Sequence, residues 1–128
     1  MEHNGAEPPA ILVVDDEFDV SDMLVRLIRH LVPTATVSAV LSAAQAIAVL
    51  NVQRIDVVCT DVQMPDMSGA ELTGLIKTRW PHTRVILLSG STKLSLRDVE
   101  RAVQADAYLA KPFSRVELAA VLFPLLEG

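Results

Sequence analysis

An α/β fold built on a parallel sheet is what this chain predicts, and three observations predict it. Five short apolar runs, rich in β-branched residues, recur along its 128 residues. The segments between them carry apolar residues at helical rather than alternating spacing. The runs themselves are nearly unbroken, as strands covered on both faces must be. Strands that alternate with helices need crossover connections, and therefore pair in parallel.

Each element can be justified in order. Residues 10–14 read AILVV, bounded by prolines before and acids after, and form the first strand. From Glu17 the period changes. Met23, Leu24, Leu27, Ile28 and Leu31 fall on one helical face, Asp19, Asp22, Arg26 and Arg29 take other positions, and Pro33 stops the helix. Residues 36–40, TVSAV, are a second, shorter strand, and Ser42 is placed to cap an alanine-rich helix that ends near Leu50. Residues 56–60, DVVCT, are the third strand, and Pro65 and Gly69 punctuate the loop that follows. Residues 70–80 are predicted helical, with Leu72, Leu75 and Ile76 inward and Pro81 closing the segment. Residues 84–89, RVILLS, are the fourth strand, followed by a weaker helix from residue 94 or 95 to 103. Residues 107–110 make a short fifth strand. Ser114 can cap a last helix running to about Leu126, whose end Pro124 is expected to distort. Residues 1–9 read as a flexible tail and a genuine N-terminus, and residues 10–128 as one domain.

Composition removes whole classes of function. Sixteen acids against eleven bases leave a net charge of -5, so direct nucleic-acid binding by this domain is not expected. The lone cysteine, Cys59, allows neither an intrachain disulfide nor a cysteine metal knuckle, and its apolar surroundings make it a buried small hydrophobe. The polar start is not a signal peptide, and no apolar run reaches membrane-spanning length, which points to the cytoplasm.

Polar residues gather where strands end. Asp15 and Asp16 follow the first strand, Asp61 the third, Ser89 ends the fourth and Lys111 follows the fifth. In an open parallel sheet this edge is the ligand-binding edge. Taken singly, each has a plain reading: an acid capping the next helix, a serine in a turn, a solvated lysine. Together, at matching strand ends, they point to one crevice. Three carboxylates in a crevice repel one another. Lys111 supplies one positive charge, and a hard divalent cation, most naturally Mg²⁺, supplies the rest. A cis bond at Lys111-Pro112 would hold the lysine backbone in a tight turn aimed at that site.

Four motifs in this order resemble one family. ILVVDDE at 11–17, DVVCTDVQMPDMSG at 56–69, RVILLSG at 84–90 and AYLAKPF at 107–113 resemble the receiver domain of two-component response regulators, over about residues 10–127. The resemblance implies a doubly wound (βα)5 sandwich, flavodoxin-like or CheY-like, with a five-stranded parallel sheet of order 2-1-3-4-5. It implies a switch that catalyses only its own phosphorylation and dephosphorylation. Asp61 takes the place of the phosphoacceptor, with the phosphoryl group coming from a histidine kinase or histidine phosphotransfer protein. Asp16 takes that of a direct Mg²⁺ ligand, Asp15 acts through water, and the backbone carbonyl of Gln63 is a further ligand. Lys111 stands for the lysine that pairs with the acceptor and then with the phosphoryl group. Ser89 stands for the hydroxyl that moves to the phosphoryl oxygen, and Tyr108 for the aromatic residue whose rotamer follows. The surface formed by the fourth helix, fifth strand and last helix would then contact a second copy, an output domain or a partner.

The departures are few. Gln104-Ala105-Asp106 lacks the glycine that commonly ends the fourth helix, so a left-handed cap would have to be made without glycine. Residues 91–96 give that helix a weak start. The last helix, VELAAVLFPLLE, hides Leu118, Val121, Leu122 and Leu125 and leaves Val116, Ala119, Ala120 and Phe123 with little polar company. Competing readings fare worse. A haloacid-dehalogenase-like phosphohydrolase wants a second acid where Gln63 stands, and this length leaves no room for a cap domain. A flavin carrier needs a phosphate loop where Asp15-Asp16-Glu17 stands. The dinucleotide fold's G-x-G-x-x-G is missing. A receiver that only binds partners would have lost Asp61 or Lys111. The sequence leaves open a stand-alone receiver or one cut from a longer regulator.

Overall fold

The computed structural model describes residues 7–89 and 104–127. Five parallel strands are ordered β2-β1-β3-β4-β5: β1 (Ala10–Val14), β2 (Thr36–Val40), β3 (Val57–Asp61), β4 (Arg84–Ser89) and β5 (Ala107–Ala110). The helices are α1 (Phe18–Leu31), α2 (Ala43–Val52), α3 (Gly69–Arg79) and a C-terminal helix (Arg115–Glu127). The predicted helix at residues 94–103 lies outside the described residues, as does most of the predicted tail.

Strand residues alternate between two cores, which is why their apolar runs are unbroken. Ile11, Val13, Val57, Cys59, Ile86 and Leu88 face α1 and the C-terminal helix, meeting Leu24, Ile28, Leu118 and Leu122. Leu12, Val14, Val58 and Val85 face α2 and α3, meeting Ala46, Leu50, Leu72 and Ile76. Small side chains let α2 lie close to the sheet, since Ala43 and Ala46 are both fully buried.

Several boundaries move by a residue or two. Glu17 is the N-cap of α1 rather than its first residue. The third strand starts at Val57 and takes in Asp61, and just before it the Asp56 amide donates to the Ala10 carbonyl while the Asp56 carboxylate accepts from the Ala10 amide, both at 2.8 Å. The next helix starts at Gly69 and ends at Arg79, with Ser68 and Glu71 forming a reciprocal capping box. Ser114 and Glu117 exchange the same pair of bonds, and the helix they open runs through Pro124 to Glu127. Met23, expected inward, is 57% exposed, and Ser21 and Val25 are buried in its stead. Of the residues expected inward on the third helix, Leu72 and Ile76 are buried and Leu75 is half-buried. No described non-glycine residue has a positive φ, and the Lys111-Pro112 bond is cis.

Candidate functional site

The strand ends deliver the side chains. Asp61 is the last residue of β3 and pairs in register with Leu88, one residue before Ser89 ends β4. Ser89 pairs with Ala110, and the Lys111 amide donates to the Ser89 carbonyl at 2.7 Å, carrying the ladder one step past β5. Asp15 directly follows β1. One carboxylate oxygen from each of Asp15, Asp16 and Asp61 lies within 4.8 Å of the others.

These acids differ in surroundings. Asp15 is fully buried. Its Oδ1 accepts from the Glu17 amide at 2.9 Å and its Oδ2 from Lys111 Nζ at 3.0 Å. Asp16 is exposed. Asp61 is buried, and Lys111 Nζ stands 3.6 Å from its Oδ2. Lys111 therefore bridges two acids and sits nearer to Asp15 than to Asp61. Burial pushes the Asp61 carboxyl above the usual carboxylate range, and the charge of Asp15 pushes the same way. Lys111 and the Val62 and Gln63 amides oppose that rise without cancelling it. Burial is the larger cause of the rise, since Lys111 lowers the Asp61 carboxyl more than Asp15 raises it.

The donor set fits a small hard cation. Two bonds of about 2.1 Å to Mg²⁺ span at most about 4.2 Å. A spread of up to 4.8 Å then suits an ion that binds part of the cluster directly and part through water. Gln63 is exposed in the loop after Asp61. Tyr108 on β5 is 46% exposed, and Ser89 is half-buried. Cys59 takes no part: it is a buried residue of β3, and burial pushes its thiol up to about 12.

Sequence reading missed what holds the end of β3 in place. A Cβ on Gly69 would collide with the carbonyl oxygen of Asp61. The backbone of α3 therefore approaches Asp61 as only glycine permits. The Gly69 amide closes the intervening loop onto the Val62 carbonyl at 2.6 Å. The signal was a glycine at a helix start, read as punctuation only. Asp66, also unremarked, accepts from the Ala43 and Ala44 amides at the start of α2.

With this arrangement in view, comparison with known proteins is decisive. The family model described as the response regulator receiver domain matches residues 11–123. The chain belongs to that family. The receiver is 34% identical over 119 residues to the transcriptional regulatory protein YvrH of Bacillus subtilis, covering 89% of this chain and 47% of YvrH. It spans about half the length of the curated relatives it matches. Among solved structures it is similar to the signal receiver domain of an HD domain-containing protein from Pseudomonas fluorescens. That match has a TM-score of 0.87 and 30% identity over 94% of this chain and 96% of that one. It is also similar to the response regulator TrrA of Thermotoga maritima, solved in complex with Mg²⁺-BeF. Here the TM-score is 0.83 with 27% identity, over 92% of this chain and 99% of TrrA. CheY-like structures share the fold and its 2-1-3-4-5 strand order. The receiver is thus the signalling-switch module of a two-component system. No helix among the described residues is long and apolar enough to cross a membrane.

Proposed function

We propose that Asp61 is the phosphoacceptor of this receiver. It takes a phosphoryl group from a phosphohistidine of a sensor kinase or histidine phosphotransfer protein. The observation that carries this reading is the Asp61 carboxylate at the end of β3, sharing Lys111 with Asp15 inside a cation-compatible cluster. The complex of the similar receiver TrrA with Mg²⁺-BeF supports it.

An Asp61 carboxylate oxygen attacks phosphorus in line, the new O–P bond forms, and the P–N bond breaks. The electron pair stays on the departing imidazole, which takes its proton from water. The nucleophile must be ionised, and Lys111 favours that form. Lys111 can then turn to the phosphoryl oxygens it faces. When bound, Mg²⁺ supplies further positive charge against those oxygens. Asp16, Asp61 and the Gln63 backbone carbonyl would hold it directly. Asp15 has both oxygens engaged already, which suits contact through water. The acyl phosphate carries about two negative charges. Ser89 gains a strong acceptor, and Tyr108, now half outward, turns into the space it vacates.

The test is intact mass after incubation with acetyl phosphate. Wild type should gain one phosphoryl group only with Mg²⁺ present, and Asp61→Asn should gain none. Equal gain by both proteins contradicts the assignment.

The output face in this reading combines β5 with the C-terminal helix, where Tyr108 is 46%, Val116 76% and Phe123 39% exposed. Exposed apolar side chains on these two elements suit a second copy or an output domain. Light scattering with and without beryllofluoride should show association that rises with the phosphoryl mimic and is lost in Phe123→Glu. Unchanged association in both comparisons contradicts this face.

A further inference from the structure

Helix α2 has no acid in its first turn, yet its first amides are satisfied. Ser42 Oγ accepts from the Gln45 amide at 3.1 Å. The Ala43 and Ala44 amides reach 23 and 22 residues along the chain to one carboxylate, donating to Asp66 Oδ1 at 3.2 Å and Oδ2 at 3.0 Å. These amides lower the Asp66 carboxyl pKa, that of Ala44 most. A charge-assisted pair of bonds at a helix N-terminus fixes orientation as well as position.

Asp66 belongs to the loop 62–68, which leaves Asp61 and carries Gln63. The ends of that loop are pinned by the Val62 amide on the Leu88 carbonyl at 3.0 Å and the Gly69 amide on the Val62 carbonyl. Met64 and Met67 pack on the apolar cluster beneath α2, a contact without direction. Asp66 adds a directional hold in the middle of the loop.

We propose that Asp66 is a positioning residue for the cation site: by clasping the start of α2, it sets the orientation of the loop that carries the Gln63 carbonyl. This rests on the reading of the acid cluster and Gln63 as the Mg²⁺ site. The consequence is that Mg²⁺ affinity depends on a contact with α2 made by a side chain that is no ligand.

The experiment must separate this from mere support of α2. Gln45 Oε1 accepts from the Leu41 amide at 2.8 Å, so Gln45→Glu keeps that bond while placing an acid in the first turn of α2. Mg²⁺ is titrated into the full chain at a temperature where the α2 amide signals report a formed helix, and affinity is read from amide shifts. Gln45→Glu alone sets the baseline for added charge. Asp66→Ala should lose roughly tenfold in affinity, the low end of what removing a supporting partner does to metal sites. Asp66→Asn, which keeps one acceptor oxygen, should fall between. In Asp66→Ala/Gln45→Glu the midpoint of unfolding should recover while the affinity stays low. An affinity unchanged in Asp66→Ala, or restored in the double variant, overturns the tether alone. A wild type that binds no Mg²⁺ overturns the cation reading and the tether with it.

Discussion

The two edges of the sheet handle charge in opposite ways. At the edge where the strands end, three acids share one lysine, and burial pushes the Asp61 carboxyl up. At the edge where the strands begin, one acid is held by two bases. Asp106 accepts from Lys77 Nζ at 2.6 Å, from the Val85 amide at 2.8 Å and from Arg84 at 3.4 Å. Burial alone would raise the Asp106 carboxyl, but the bonds from Lys77, Val85 and Arg84 outweigh it and bring it below the usual range. Neighbouring polar groups there are also satisfied. Thr83 Oγ1 donates to the Ile55 carbonyl at 2.8 Å, and Lys77 Nζ also donates to the Thr83 carbonyl at 3.0 Å. One edge holds the fold together. The other gives up stability to keep three acids around one lysine, a pattern typical of functional sites.

This contrast is open to direct attack. Asp106→Ala should cause the largest change, a loss of about 2–3 kcal/mol in urea unfolding at pH 7. It leaves the half-buried Lys77 without its acid and the Val85 amide without its acceptor. The figure sits at the lower end for broken buried pairs because Arg84 reaches solvent. A loss below about 0.5 kcal/mol, the scale of ordinary surface substitutions, would erase the contrast.

Mg²⁺ should act only at the other edge. At about ten times its dissociation constant it should stabilise wild type by about 1.4 kcal/mol. Asp106 variants should keep that gain. Asp16→Asn should lose more of it than Asp15→Asn, since Asp15 is already engaged by Lys111 and the Glu17 amide. Equal losses in the two would contradict the division of labour between them.

The smallest effect has the most telling sign. The folded chain holds the Asp61 proton more tightly than the unfolded chain does. Its contribution to stability is therefore complete below the ordinary carboxylate pKa and is lost as pH rises through the raised folded value. Without Mg²⁺ at pH 7, Asp61→Asn should be more stable than wild type, by on the order of 1 kcal/mol. That advantage should shrink on acidification. Asp106 runs the other way: its contribution is complete above the ordinary carboxylate pKa and is lost as pH falls through the lowered folded value. An Asp61→Asn protein less stable than wild type at neutral pH would show that the site is not strained by its own charge.

Much of this was legible in the sequence, for physical reasons. β1 and β4, covered on both faces, are unbroken apolar runs, and the partly exposed edge strands β2 and β5 stand out as short apolar stretches between helical segments, so all four were read with the bounds they have. Charged residues at strand ends stood out against those runs, which is why Asp15, Asp16, Asp61 and Lys111 were found together. Helix faces were harder. Met23 and Leu24 are adjacent and both apolar, and spacing alone could not tell that the stripe runs through Ser21, Leu24, Val25 and Ile28. The supports of the site were not legible at all. Asp66 meets amides of α2 more than twenty residues away, and Asp106 meets Lys77 on α3. Such contacts arise from the packing of elements and leave no local pattern. The collision that Gly69 avoids with Asp61 is of the same kind.

Everything at the strained edge turns on which carboxylate receives the phosphoryl group. The most direct measurement is to phosphorylate wild type with acetyl phosphate and Mg²⁺ and reduce the acyl phosphate with borohydride, which converts the modified aspartate to homoserine. Peptide mass mapping then finds the residue. The account predicts homoserine at position 61 alone, with Asp15 and Asp16 intact. Reduction at Asp15 or Asp16, or a phosphorylated protein with Asp61 unchanged, would contradict it.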